Sequence, residues 1–212
     1  MRIHAWRVPP YDNGMYLVVD DRREALLIDP AMGERQAIAA VEDGGFRLVE
    51  ILNTHGHPDH VYGNAAVKEA TRARLAIHRL DAYRLGSKRP ETTFEIPPCD
   101  ADDLFDEGAL GYVADLEMRA LHLPGHTEGS TCFYFPTEDV LFSGDVIFKG
   151  STGRWDLPGG DREQMERSLE RLMTLPPATM VYPGHGATTT LGAEVRTLRV
   201  MREAGVLPGL KV

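Results

Sequence analysis

Thr54-His55-Gly56-His57-Pro58-Asp59-His60 packs four metal-type side chains into six positions. It follows Val49-Glu50-Ile51-Leu52, an apolar stretch that reads as a short buried strand. His55 and His57 lie two apart at that strand's end, so an extended-to-turn backbone aims both at one ion. Gly56 between them has no side chain to obstruct the approach. Pro58 suits the first position of a helix, which Asp59 and His60 then open. Adjacent helical residues point about 100° apart, so this pair faces a second ion beside the first. Imidazole and carboxylate together suit zinc, iron or manganese, and two ions beside an open pocket produce hydroxide at neutral pH. The competing reading is a solvated His-rich loop, and the crowding of four ligand types argues against it.

Three further candidates stand farther along. His126 follows Leu123-Pro124-Gly125, Asp145 follows Phe142-Ser143-Gly144, and His185 follows Tyr182-Pro183-Gly184. Alone, either histidine reads as a loop residue and the aspartate as a helix cap or turn former. The repetition changes the reading: an apolar strand, a glycine, then a ligand-type residue, three times over. Strand tips are where a sheet presents reactive groups, and glycine lets the backbone approach a ligand closely.

The rest of the chain alternates strand and helix signals. Met15 to Val19 and Ala25 to Ile28 read as strands, and the second ends in Asp29-Pro30. A helix is expected from Glu34 to Glu42, stopped at Gly44-Gly45. Ala65 to Thr71 reads as helix and Ala73 to His78 as strand. The polar, Pro-rich stretch from Pro90 to Gly108 reads as a surface loop. Strands are expected over Leu116 to Leu123, Thr131 to Phe135, Val140 to Phe142 and Met180 to Tyr182. One helix follows Asp161, which forms a capping box with Gln164, and another runs from Gly192 to Arg202. No repeat or linker is evident, so residues 1–212 are read as one domain.

Composition narrows the function. The chain carries 23 Lys and Arg against 32 Asp and Glu, a net charge of −9, which argues against a nucleic-acid partner. Cys99 and Cys132 are too few for a disulfide framework. Cys132 sits in a strand as a small core residue, and a reducing, cytoplasmic setting is expected. The N-terminus lacks the apolar core of a signal peptide, and no apolar run is long enough to span a membrane.

The ordered set His55-x-His57-x-Asp59-His60, His126, Asp145 and His185 resembles the signature of the metallo-β-lactamase superfamily. Within it the chain is similar to the single-domain glyoxalase II-like (hydroxyacylglutathione hydrolase-like) branch. That likeness rests on Ser143-Gly144-Asp145-Val146-Ile147-Phe148-Lys149-Gly150, Gly153-Arg154-x-Asp156 and Pro158-Gly159-Gly160-Asp161. The resemblance implies a four-layer αβ/βα sandwich of two mixed β-sheets flanked by helices. It also implies two divalent ions, zinc foremost with iron or manganese as alternatives. His55, His57 and His126 would hold the first, Asp59, His60 and His185 the second, and Asp145 would bridge them. The implied reaction is hydrolysis of a small, anionic thioester of the hydroxyacylglutathione type by a metal-bound hydroxide, with Asp59 and Asp145 as catalytic groups. Asp29, Thr54 and Asp156 are expected to fix the ligands from behind, and Arg154, Lys149 and Trp155 to meet the substrate.

Substitutions sort the neighbouring branches. Class B β-lactamases commonly carry Cys where Asp145 stands, which disfavours antibiotic hydrolysis. Diiron flavoproteins carry Glu at the position of His57. The stretch after His185 is shorter than the helical segment with which two-domain glyoxalase II enzymes contact glutathione. Trp155 replaces a common Ser or Thr, and Glu128 a common Pro. Persulfide dioxygenases with one iron are the rival reading, followed by lactone or ester hydrolases and a metal-binding sensor without turnover.

Overall fold

A computed structural model describes residues 1–86, 95–109 and 116–212. The first sheet takes β1 (Arg2–Val8), β2 (Asn13–Val19), β3 (Glu24–Ile28), β4 (Arg47–Asn53), β5 (Arg74–His78) and β6 (Asp103–Phe105), in that spatial order. The second runs β14 (Thr189–Thr190), β13 (Met180–Pro183), β10 (Val140–Gly144), β9 (Thr131–Phe135), β8 (Arg119–His122) and β7 (Gly108–Ala109). A two-stranded hairpin, β11 (Ile147–Phe148) with β12 (Ser151–Thr152), follows β10. The helices are α1 (Glu34–Gly44), α2 (Pro58–Val61), α3 (Asn64–Thr71), α4 (Arg162–Leu172) and α5 (Leu191–Glu203), with a 3₁₀ helix over Arg79–Leu85. Both sheets mix directions: β3, β4, β5 and β6 pair in parallel, as do β10 and β13, and the other pairs are antiparallel.

Strand alternation builds the four layers. Successive strand residues point to opposite faces. In β2, Leu17 joins a cluster with Ala37 and Val41 of α1 and Val67 of α3. Its neighbour Val18 joins Phe133 and Phe142 of the opposite sheet. In the second sheet Cys132, Leu141 and Val181 turn the other way, onto Met165 and Leu169 of α4 and Leu198 of α5. The order is helix, sheet, sheet, helix, the expected sandwich. β2 is buried at every position because it is covered on both faces. Among the described residues no helix is long and apolar enough to cross a membrane.

Several expectations shift in detail. α1 ends at Gly44 and is closed by Gly45 in the left-handed region, φ 57°. Asp161 caps α4 by accepting the Gln164 N–H at 2.8 Å. The capping box stays open, since the Asp161 N–H goes to the Gly125 carbonyl. The stretch read as a loop from Pro90 to Gly108 contains β6 and the start of β7, and its residues 90–94 lie outside the described ones. β6 was obscured because two of its three residues, Asp103 and Leu104, are charged or exposed at a sheet edge. The strand expected over Leu116 to Leu123 contracts to β8, with a lone bridge residue at Leu116.

Glu50 stands in β4 at 4% exposure, and its Oε2 has no hydrogen-bond partner. Burial, reinforced by Asp103, raises its pKa from 4.5 to about 7. The folded chain therefore holds a proton that the unfolded chain has released, and stability falls as pH climbs from 4.5 through 7. Glu50→Gln should stabilise the fold at pH 8 by on the order of 3 kcal/mol and change little at pH 4. Denaturant melts at both pH values check this, and an equal effect at the two would contradict it.

Candidate metal centre

His55 and His57 sit on the turn that leaves β4, and α2 begins at Pro58 with His57 as its extended N-cap residue. Asp59 and His60 are the next residues of that helix, as the Pro58 position demands. His126, Asp145 and His185 follow β8, β10 and β13. One ring nitrogen from each of His55, His57 and His126 falls within 4.8 Å of the others, and the donor atoms of Asp59, His60 and His185 form a second such group. Asp145 lies between the two groups. Its Oδ2 is 3.4 Å from Nε2 of His126 and 3.4 Å from Nε2 of His185, and its Oδ1 is 3.4 Å from Nε2 of His60. All seven predicted ligand residues are thus brought to one place. Gly184 makes this approach feasible, because a Cβ there would collide with Asp145 Oδ1.

Donor spacing and pairing both fit divalent ions. Four ligands at zinc distances stand about 3.3 Å apart along the edges of a tetrahedron. Within the second group His60 Nε2 is 3.3 Å from His185 Nε2 and 3.6 Å from Asp59 Oδ2, and His185 Nε2 is 3.4 Å from Asp59 Oδ2. In the first group Nε2 of His55, His57 and His126 is buried without a hydrogen-bond partner, as is Asp145 Oδ1. Buried polar atoms are almost always satisfied, and an ion would satisfy these.

The far sides of four rings, those of His55, His60, His126 and His185, are fixed. Asp29, at the tip of β3, accepts the Thr54 N–H at 2.8 Å, the Thr54 hydroxyl at 2.6 Å and His60 Nδ1 at 2.9 Å. The Thr54 oxygen, its hydrogen given to Asp29, accepts from His55 Nδ1 at 3.0 Å. His126 Nδ1 donates to the Arg154 carbonyl at 2.6 Å and His185 Nδ1 to the Tyr11 carbonyl at 2.8 Å. Such bonds set the tautomer and turn the other nitrogen's lone pair toward an ion. Asp29 adopts φ 47°, a left-handed backbone that costs about 1–2 kcal/mol outside glycine. Its three hydrogen bonds hold it there.

Electrostatics divides the centre. Burial, with the neighbouring imidazoles, holds His55 well below its usual pKa and takes His57 down to about 3, so both are neutral at pH 7. Burial also pulls on His60, but Asp145, Asp59 and Asp29 outweigh it and raise His60 to about 9. His185 rises to about 11 against burial through its bonds to Asp145 and Asp59. Burial would lift Asp145, yet His60 and His185 bring it down to about 2. For Asp59 burial again raises, and His60 with bonds from His185 and Asn13 prevails, leaving it below the usual carboxylate range. A cation beside Asp59, His60 and His185 takes the place of protons. Here the centre opens, with His185 25% and Asp59 23% exposed.

A family model described as the metallo-beta-lactamase superfamily matches residues 10–185. The chain belongs to that superfamily. The hydroxyacylglutathione hydrolase GloC of Haemophilus influenzae is 33% identical to it, over 93% of this chain and 96% of GloC. A crystal structure of BLEG-1 B3 metallo-beta-lactamase superposes with TM-score 0.86 at 30% identity, covering 98% of this chain and all of that one. A crystal structure of TTHA1623 in a di-iron-bound form gives TM-score 0.78 at 37% identity, covering 92% and 98%. These likenesses place the chain among metal-dependent hydrolases of the metallo-beta-lactamase fold.

Within this superfamily centre the expected supporting residues divide. Asp29 and Thr54 stand behind the ligands. Asp156 is a correction: both its oxygens are taken by the Arg154 guanidinium, at 2.7 and 2.8 Å on the surface. The loop reaches His126 through the Arg154 carbonyl instead. Arg154, Trp155 and Asp156 line an open depression of about 370 Å³ with Met201, and Trp155 also packs on the α4–α5 core. Lys149 is exposed at the turn of the β11–β12 hairpin. Residues not foreseen include Asn13, whose Nδ2 donates to Asp59 Oδ2 at 2.9 Å, and Phe148, whose ring meets that of His185 edge-on at 5.8 Å. Changing Asp145→Ala should lower the metal carried per chain below that of the parent. Elemental analysis reads this directly, and unchanged loading would contradict a ligand role for Asp145.

Proposed function

We propose that this chain hydrolyses thioesters of the hydroxyacylglutathione type, using two divalent ions held by His55, His57 and His126, by Asp59, His60 and His185, and by Asp145 between them. The observation that carries the reading is the convergence of seven donor side chains with three buried imidazole nitrogens left unpaired. Similarity to GloC along almost the full length of both proteins supports the substrate class. Zinc is the expected metal, with iron or manganese suited to the same donors.

Bound ions would supply a Lewis acid for the carbonyl and lower the pKa of water to about 7. The chain's own groups supply orientation. Asp59 is pinned through Oδ2 by Asn13 and lies on the exposed side of the centre, so its carboxylate aligns the attacking water, whose proton passes to solvent. Water adds to the carbonyl carbon, the C–S bond breaks, and the sulfur departs as thiolate, which needs little protonation. The products are a carboxylate and a thiol. The ring of Phe148 beside His185 and the depression between Trp155 and Met201 offer apolar contact for the rest of the substrate. Arg154 offers the cation for an anionic group once it releases Asp156.

The deciding assay pairs thiol release from a hydroxyacylglutathione thioester with oxygen uptake on a glutathione persulfide. A β-lactam arm is added because the BLEG-1 structure is similar at 30% identity and Asp145 alone does not remove that substrate. The expected result is metal-dependent thiol release with no oxygen uptake. Oxygen uptake or β-lactam turnover without thioester cleavage overturns the reading. Replacing Asp59→Asn should lower kcat by about 10²–10⁴-fold; a kcat within a few-fold of the parent would exclude its proposed role. Arg154→Ala should raise KM for anionic thioesters about two- to fivefold and spare neutral ones. Equal losses for both would make the ion pair a purely structural brace.

A further inference from the structure

The ligands of the first ion come from different sheets: His55 and His57 from the end of β4, His126 from the end of β8. One buried carboxylate joins these two loops. Asp81, in the 3₁₀ helix over Arg79–Leu85, is 0% exposed. Its Oδ2 accepts the backbone N–H of Gly56, between the two β4 histidines, at 2.8 Å, and the hydroxyl of Thr127, next to His126, at 2.8 Å. Its Oδ1 accepts the Gly129 N–H at 2.8 Å. Thr127 is in turn held by Ser130, whose Oγ lies 3.0 Å from the Thr127 N and 2.8 Å from its Oγ1.

The fit around Asp81 is close. A Cβ on Gly129 would stand 2.7 Å from Asp81 Cγ, and one on Gly56 would stand 2.5 Å from Cβ of Arg84, one turn along the same helix. Arg84, also 0% exposed, brings its Nε to 3.6 Å from Asp81 Oδ1 and compensates the buried charge. Its other end donates to Glu128 Oε2 and the Pro158 carbonyl, each at 2.8 Å. Glu128 therefore has a structural partner in place of the common Pro at its position.

We infer that Asp81 is a positioning residue that sets the distance between the His55–His57 turn and the His126 turn, and thereby the affinity for the first ion. This rests on the two-ion reading above. Asp81 acts through Gly56, Thr127 and Gly129, the groups whose hydrogen bonds it accepts. Its charged form accepts all three donors, while an asparagine has only one accepting oxygen and must turn its NH₂ toward at least one N–H or O–H.

Cobalt(II) titration of the full chain, followed by visible absorption and competition with a chromophoric chelator, tests this without reference to turnover. The parent protein should take up two equivalents; uptake of none would defeat the two-ion reading itself. Asp81→Asn should weaken one equivalent about 10–100-fold, alter its absorption, and leave the other within a few-fold of the parent. Thr127→Val, isosteric but without the hydroxyl, should weaken the same equivalent to a smaller degree, and Thr127→Ser should restore it. The Thr127 pair decides the matter if Asp81→Asn does not fold. Unchanged affinity in Asp81→Asn and Thr127→Val overturns the inference. So does an equal fall in both equivalents, which would mark general loosening of the fold.

Discussion

Three imidazole nitrogens buried without partners, on His55, His57 and His126, are the constraint to which the rest of the molecule answers. Leaving one buried polar atom unsatisfied costs about 1–3 kcal/mol, and here several lie together. Hydrogen bonding within the chain does not relieve them, and two of the rings are held from their opposite sides, His55 by Thr54 and Asp29 and His126 by the Arg154 carbonyl. The fold spends its hydrogen bonds on holding the lone pairs in place. A divalent ion removes the penalty, so ion binding and folding stability are linked.

The sandwich is suited to this task by the direction of its strands. β3 and β4 are parallel, and so are β10 and β13. Asp29, His55, Asp145 and His185 therefore leave their strands at carboxyl ends that lie side by side. β8 is antiparallel to β9, which is antiparallel to β10, so β8 runs with β10 and delivers His126 to the same edge. Packing of Val18 and Leu52 against Phe133 and Phe142 fixes one sheet on the other. Displacing either sheet would part His126 from His55 and His57.

Legibility in the sequence followed how locally a feature is encoded. His55, His57, Asp59 and His60 share one turn, and their spacing alone separates two donor pairs. His126, Asp145 and His185 were readable through the repeated strand, glycine and ligand, and through resemblance to a family. The buried strands declared themselves by apolar runs, whereas β1 at the sheet edge, with Arg2, His4 and Arg7, and the two-residue strands β11, β12 and β14 carry too little periodicity. The supporting layer was least readable. Asn13 and Asp81 act across distant segments, and the Tyr11 and Arg154 carbonyls act through backbone that any residue supplies. Asp156 was misplaced because its carboxylate finds the guanidinium two residues away before it reaches any imidazole.

Anomalous diffraction from crystals of the metal-loaded protein, recorded on both sides of the absorption edge of the bound element, tests the account most directly. Two peaks are predicted, one among His55, His57 and His126 and one among Asp59, His60 and His185, with the Asp145 carboxylate touching both. Peaks outside these two donor groups, or full loading with the His55, His57 and His126 nitrogens still bare, would contradict it.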